Sequence, residues 1–166
     1  MDVQVTPAAI DEKSIVRNLL EFYIYDFSEY EGWDLNEHGI FGYRYLDHYW
    51  TEPGRHPFLV RVDGKLAGFA LVSIIDDRTH MSEFFIMRKY RRQGVGEAAA
   101  HNVFARFPGP WHVQQIERNV AAQQFWRVVI DRATGGSYTE YQDARTKRMV
   151  QQFTIAPRNP APGSTG

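Results

Sequence analysis

Arg91 to Ala100 reads RRQGVGEAAA. Gly94 and Gly96 allow backbone conformations and close approaches that a Cβ forbids, and the alanines behind them are strong helix formers. A tight loop feeding a helix leaves the first helical N–H groups without internal partners. Those amides, the positive end of the helix dipole and the flanking Arg91 and Arg92 suit a phosphate group. Two other readings fit the same residues. One is a surface turn whose charges are merely solvated. The other is a dinucleotide loop, since Gly94-x-Gly96-x-x-Ala99 satisfies G-x-G-x-x-G/A and Glu117 stands where a ribose-binding acid would. Against the dinucleotide, RKYRRQ separates the apolar run FFIM from Gly94, and only 49 residues follow Glu117, too few for the second half of a doubly wound domain.

A second stretch is rich in chemistry. Glu21 to Trp50 holds eleven aromatic and seven acidic residues in thirty, with Arg44 as its only Lys or Arg. Rings beside carboxylates suit a cationic amine; Tyr23 and Phe27, at helical spacing, read instead as core. Histidines 38, 48, 56, 80, 101 and 112 show no metal-ligand spacing, so no metal is expected. The chain has no cysteine, which excludes disulfides, thiolate nucleophiles and cysteine-ligated zinc.

The elements that must position these groups follow from pattern. The 166 residues are 43% hydrophobic and 23% charged with a net charge of −1, the profile of one globular domain without a bulk field for nucleic acid or membrane. The N-terminus does not read as a leader and no apolar run is long enough to span a bilayer, so a cytoplasmic location is expected. Val3–Val5 alternates as a strand. Residues 11–30 carry apolar residues at helical spacing, and 36–50 predicts a second helix interrupted by Gly39 and Gly42. HPFLVRV and KLAGFALVSII form a hairpin about Asp63-Gly64. Strands over 79–87, 111–117, 138–142 and 148–155 and helices over 95–107 and 119–133 complete the order β-αα-β-β-β-α-β-α-β-β. The fold class is thus α/β (α+β), with residues 1–155 forming the domain and the Pro/Gly-rich 156–166 a disordered tail.

In this order of elements, the glycine loop resembles the signature of the GNAT superfamily of N-acetyltransferases, [RQ]-x-x-G-x-[GA]. The match is Arg91-Arg92-Gln93-Gly94-Val95-Gly96 after Tyr90, with Asn119-x-x-Ala122-x-x-Phe125-Trp126 resembling a second family segment. The resemblance implies a central mixed, mostly antiparallel sheet of about seven strands flanked by about four helices. It also implies acetyl-CoA as co-substrate, with its pyrophosphate on the N–H groups from Arg92 to Glu97. The pantetheine arm would run along the backbone of Phe85, Ile86 and Met87, facing the strand from Trp111 and the helix bearing Asn119, Phe125 and Trp126.

The implied chemistry is direct transfer of acetyl to a primary amine, on a small molecule or a peptide, in a ternary complex without a metal. An amide, that of Ile86, would stabilise the oxyanion, and Glu83 would serve as base, its alternative being a solvent-facing strand residue. Family members use a tyrosine acid at the position of Trp126; tryptophan cannot replace it, so Trp126 reads as a packing or pantetheine-wall residue. Tyr138 and Tyr141 are equal candidates to substitute, and no acid at all is a further alternative. Asn119 is both an N-cap and a pantetheine contact by this reading. The acceptor would meet Tyr30, Glu31, Trp33 and Asp34 in a loop between helices. A monomer or homodimer is expected. The rival from another class is a non-catalytic acyl-CoA sensor, kept open by Trp126.

Overall fold

A computed structural model describes residues 1–158. Strands β1 (Val3–Pro7), β2 (Arg55–Val62), β3 (Lys65–Ile75), β4 (Arg78–Ile86), β5 (Gly109–Gln115), β6 (Tyr138–Gln142) and β7 (Met149–Ile155) make one sheet in the order β1-β2-β3-β4-β5-β7-β6. Every neighbouring pair is antiparallel except β4 and β5, which are parallel. Helices α1 (Lys13–Glu31), α2 (His48–Thr51), α3 (Val95–Arg106) and α4 (Val120–Thr134) flank it. The expected mixed, mostly antiparallel sheet is therefore present. The expected tail falls largely in 159–166, outside the described residues.

Alternation in the strands sends side chains to two cores. On one face Val16, Leu19 and Leu20 of α1 and Tyr49 of α2 bury against Leu59, Phe69, Leu71 and Phe85. On the other, Val95, Ala99, Val103 and Phe104 of α3 and Trp126, Val129 and Ile130 of α4 cover Val60, Ala70, Val72, Trp111 and Phe153. Each large side chain so buried contributes about 1.5–3 kcal/mol. Asn119 caps α4 by accepting the Ala122 N–H at 3.0 Å, and Gly135 ends it in the left-handed region.

The predicted helix over 36–50 is corrected to a single turn at His48–Thr51. Asn36 Oδ1 accepts from the His38 and Ile40 amides, and Gly39 and Gly42 sit at φ 71° and 73°. A side chain that binds local amides, together with two left-handed residues, offers this backbone a better-paired alternative to helix. The amides of Phe41 and Gly42 instead reach back to the two carboxylate oxygens of Glu21, each at 2.8 Å. The loop is thereby tied to α1.

Two features of β4 shape the site. Opposite β3 the register steps from Leu71↔Glu83 to Val72↔Met81, so Ser82 is an extra residue that re-aims the strand. Against β5 only Thr79↔Trp111 and His80↔His112 are paired. From there β4 continues to Ile86 and β5 to Gln115 without bonding. The sheet opens into a gap.

Candidate active site

The gap exposes backbone that a continuous sheet would consume. Met87 N–H donates to the Ala67 carbonyl at 2.8 Å, and Phe85 pairs with Phe69, so both turn their backbone groups to β3. Strand alternation then turns Ile86 the other way, into the gap. Its carbonyl is already taken, accepting from Arg91 Nε at 2.7 Å. The Ile86 N–H is left as the donor on this lip. Of the three residues expected to offer backbone here, Phe85 and Met87 are thus corrected to partners of β3. Gly68, opposite Ile86, has no room for a side chain, since a Cβ there would lie 2.0 Å from the Phe85 carbonyl oxygen.

The glycine loop lies at the end of this lip. Arg92 and Gly94 take φ of 59° and 80°, and the first backward bond runs from Ala98 N–H to the Gly94 carbonyl at 3.0 Å. The amides from Arg92 to Glu97 therefore precede the helical ladder and form a concave set of donors. Gly96 has a different reason to lack a side chain: a Cβ would meet the Phe125 ring at 3.0 Å. Its bareness serves the packing of α3 on α4. Gln93 Nε2 donates to the Lys89 carbonyl, and Glu97 is neutralised by Arg132 at 2.6 Å, which removes its charge from the helix start.

Arg91, expected at a phosphate, is anchored elsewhere. Besides Ile86, its guanidinium pairs with Asp26 of α1 at 2.7 Å and lies over the Phe85 ring. Arg88 pairs with the same Asp26 at 2.8 Å. These contacts lock loop, strand and α1 together. Arg92, exposed and without an ion pair among the described residues, is the free cation of the signature.

Glu83 stands on the α1 side of the same lip. Its carboxylate accepts from the Tyr43 hydroxyl at 3.0 Å and from the Tyr23 hydroxyl on the other oxygen. Burial pushes its pKa up, against the opposing pull of the two tyrosine bonds and of Arg148. Burial and the neighbouring carboxylate push both tyrosines above the ordinary phenol range, so each stays a neutral donor. The Tyr23 ring is core, as its spacing implies, set against Phe27, Phe69 and Phe85. Its hydroxyl is not. Tyr43 has no signal in the sequence, because an irregular loop delivers it.

The remaining expected residues divide. Trp126 is buried among Phe84, Phe104 and Phe125, a wall and not an acid. Phe125 stacks on Phe84 on the α4 side of the gap. Asn119 spends Oδ1 on its cap, which leaves Nδ2 to donate. Tyr138 is level with Phe153, Trp111 and Thr79, at the closed end of the gap and roughly 20 Å along β4 from Ile86. It borders Arg127, Val128, Asp131 and Arg132. The structure does not bring Tyr138 to Glu83 or Ile86, and its expected part as an acid is corrected. Glu31, the last residue of α1, and Trp33 and Asp34 beyond it are exposed, and none of them bonds Glu83. Tyr30 lies seven residues past Tyr23, and its carbonyl accepts from Arg118, joining α1 to the start of α4 across the mouth of the gap. No group of three or more His, Asp or Glu among the described residues could hold a metal, and none of their helices is long and apolar enough to cross a membrane.

A split parallel pair, a donor loop at its end and helices on both faces define an acetyltransferase of GNAT type. The chain belongs to the acetyltransferase (GNAT) family, whose model matches residues 14–128. No curated protein matches it in sequence. Its fold is similar to that of an acetyltransferase from Thermus thermophilus (TM-score 0.69, 13% identity, 93% of this chain and 98% of that one). It is also similar to a ribosomal-protein-alanine N-acetyltransferase from Escherichia coli (0.63, 12%, 99% and 98%). A third similar fold is the PaiA N-acetyltransferase from Thermoplasma acidophilum in complex with coenzyme A (0.63, 9%, 93% and 100%).

Proposed function

We propose that the protein transfers an acetyl group from acetyl-CoA to a primary amine, directly, in a ternary complex. The observation that carries this reading is the convergence on one lip of the gap: the Arg92–Glu97 amides, the gap-facing Ile86 N–H and the buried Glu83 carboxylate. The loop amides and Arg92 hold the pyrophosphate. Coenzyme A in the Thermoplasma protein of similar fold supports this choice of ligand. Nδ2 of Asn119 and the Phe84–Phe125 wall receive the pantetheine arm.

Glu83 then takes one proton from the bound ammonium, which frees the neutral amine to attack. A carboxylate whose pKa is raised by burial is a better base near neutrality than an exposed one. The Ile86 amide donates to the oxygen that gains charge as the amine adds to the thioester. Collapse of that adduct breaks the carbon–sulfur bond, releases a thiolate and gives up the second amine proton to solvent. With Trp126 in the core and Tyr138 distant, no side chain acid is assigned, and a thiolate leaves without one. Glu83, half-buried between two tyrosine hydroxyls, supports turnover over mere sensing, because a sensor gains nothing from the cost of desolvating that charge.

The test is thiol release from acetyl-CoA across amines, amino acids and peptides, beside calorimetric titration of coenzyme A. Amine-dependent release that Glu83→Gln lowers supports the reading. Tight coenzyme A binding with no amine-dependent release anywhere in the panel assigns the protein to sensing instead.

A further inference from the structure

The acceptor side of the gap carries a second charged group. Gln114 of β5 pairs with Val150 of β7, and Arg148, two residues before Val150, continues that face. His112 belongs to it too, stacked on His80 at 4.6 Å. His80 in turn pairs with Ser73, which contacts Tyr49 of α2. Arg148 and Glu83 therefore stand on the same face of the sheet, on opposite sides of the gap. Helices α1 and α2 pack over β2 and β3, while Gln114, Tyr141 and Thr154 on the other side are exposed. Between Glu83 and Arg148 lie the unbonded ends of β4 and β5.

Arg148 is half-buried yet bonds no carboxylate among the described residues. Asp143, whose backbone amide donates to the Arg148 carbonyl, has its carboxylate taken by the amides of Arg145 and Thr146 and by the Thr146 hydroxyl. Arg148 is near enough to act on both Glu83 and Tyr23 through its charge, without a bond to either. A half-buried guanidinium presents five donors in a fork that matches a carboxylate. A gap with a carboxylate on one side and a cation on the other matches a molecule of the opposite polarity. A polyamine would set its second cation against Arg148 and be repelled.

We infer that the acceptor is an amino acid or a like molecule, whose amine goes to Glu83 and whose free carboxylate goes to Arg148. The inference rests on the proposed acetyl transfer at Glu83. It is tested by thiol release from acetyl-CoA with L-amino acids, each paired with its own carboxamide. Charge-assisted bonds of this kind favour the acid by about tenfold or more in kcat/KM. In R148Q that ratio falls towards one.

Carboxamides used as well as acids by the wild type, or a ratio that survives R148Q, overturns the assignment. So does an R148Q protein whose only change is a shifted pH profile shared by acids and amides, since Arg148 would then serve Glu83 alone. Where turnover is slow, titration of each pair into the protein–coenzyme A complex reads the same ratio, and equal affinities overturn it. Glu83→Gln separates the two readings: an unchanged rate there removes the base while leaving the carboxylate preference to stand or fall on R148Q.

Discussion

Tyr43→Phe removes one of the two hydroxyls that donate to Glu83, a 3.0 Å bond delivered by the loop that Glu21 holds. A hydrogen bond to a charged group contributes about 1.5–3 kcal/mol, and one pH unit corresponds to about 1.4 kcal/mol. The bond favours the carboxylate over the acid, so its loss raises the Glu83 pKa further above 4.5. The upper bound is about two units; water admitted where the hydroxyl was reduces the expected rise to about one unit. Only deprotonated Glu83 accepts the amine proton. The acid limb of kcat/KM against pH therefore moves up by about one unit, and at a pH below both limbs the rate falls about tenfold. The assay is amine-dependent thiol release, followed from about pH 5 to about pH 9 at saturating acetyl-CoA. Tyr23→Phe should move the limb the same way, and Glu21→Gln, which only loosens the loop, by less. A limb that stays in place while the rate drops equally at every pH would refute the reasoning, for the hydroxyl would then be packing and not tuning the base.

Glu83→Gln should lower kcat by about a hundredfold or more yet raise stability. A folded-state pKa above the unfolded one means that stability is lost as pH rises from about 4.5 through the folded value; the amide escapes that loss, so its melting temperature exceeds the wild type's at pH 8 and matches it near pH 4. Gly96→Val drives a side chain into the Phe125 ring that would meet even a Cβ at 3.0 Å. It should cost about 1–3 kcal/mol in denaturant unfolding and weaken coenzyme A binding measured by calorimetry. Gly68→Ala meets backbone at 2.0 Å, so the β3–β4 pair must part beside Ile86; a soluble variant with wild-type melting temperature would contradict this contact. Between about pH 6.5 and pH 4, wild-type stability should fall as His80, held down to about 4 by burial and by His112, is forced to take a proton that the unfolded chain binds more readily. Melting curves across that range read it.

The family was legible because its signals are local. RRQGVGEAAA announces a loop, a helix start and free amides from residue types alone, and the Asp63-Gly64 turn and the Asn119 cap needed only neighbours in sequence. Helix 36–50 misled for the converse reason. Asn36 and Glu21 give its amides other acceptors, one of them from a different element.

The site itself was half visible. Glu83 and Ile86 are named by their place before the loop, whereas Tyr43 depends on a loop tied to α1, and Arg148 and the exclusion of Tyr138 on which strands lie side by side. Arg91 shows the limit most sharply. Its sequence position says phosphate, and Asp26, sixty-five residues away, makes it a tie between α1 and the strand. Sequence determined the elements and the donor loop, because hydrogen bonding and periodicity act over a few residues. Only tertiary structure decided the gap, the partners of the half-buried carboxylate and the cation across from it. Those arise where β4 and β5 fail to pair, and an unmade contact between distant strands leaves no mark in either one's sequence.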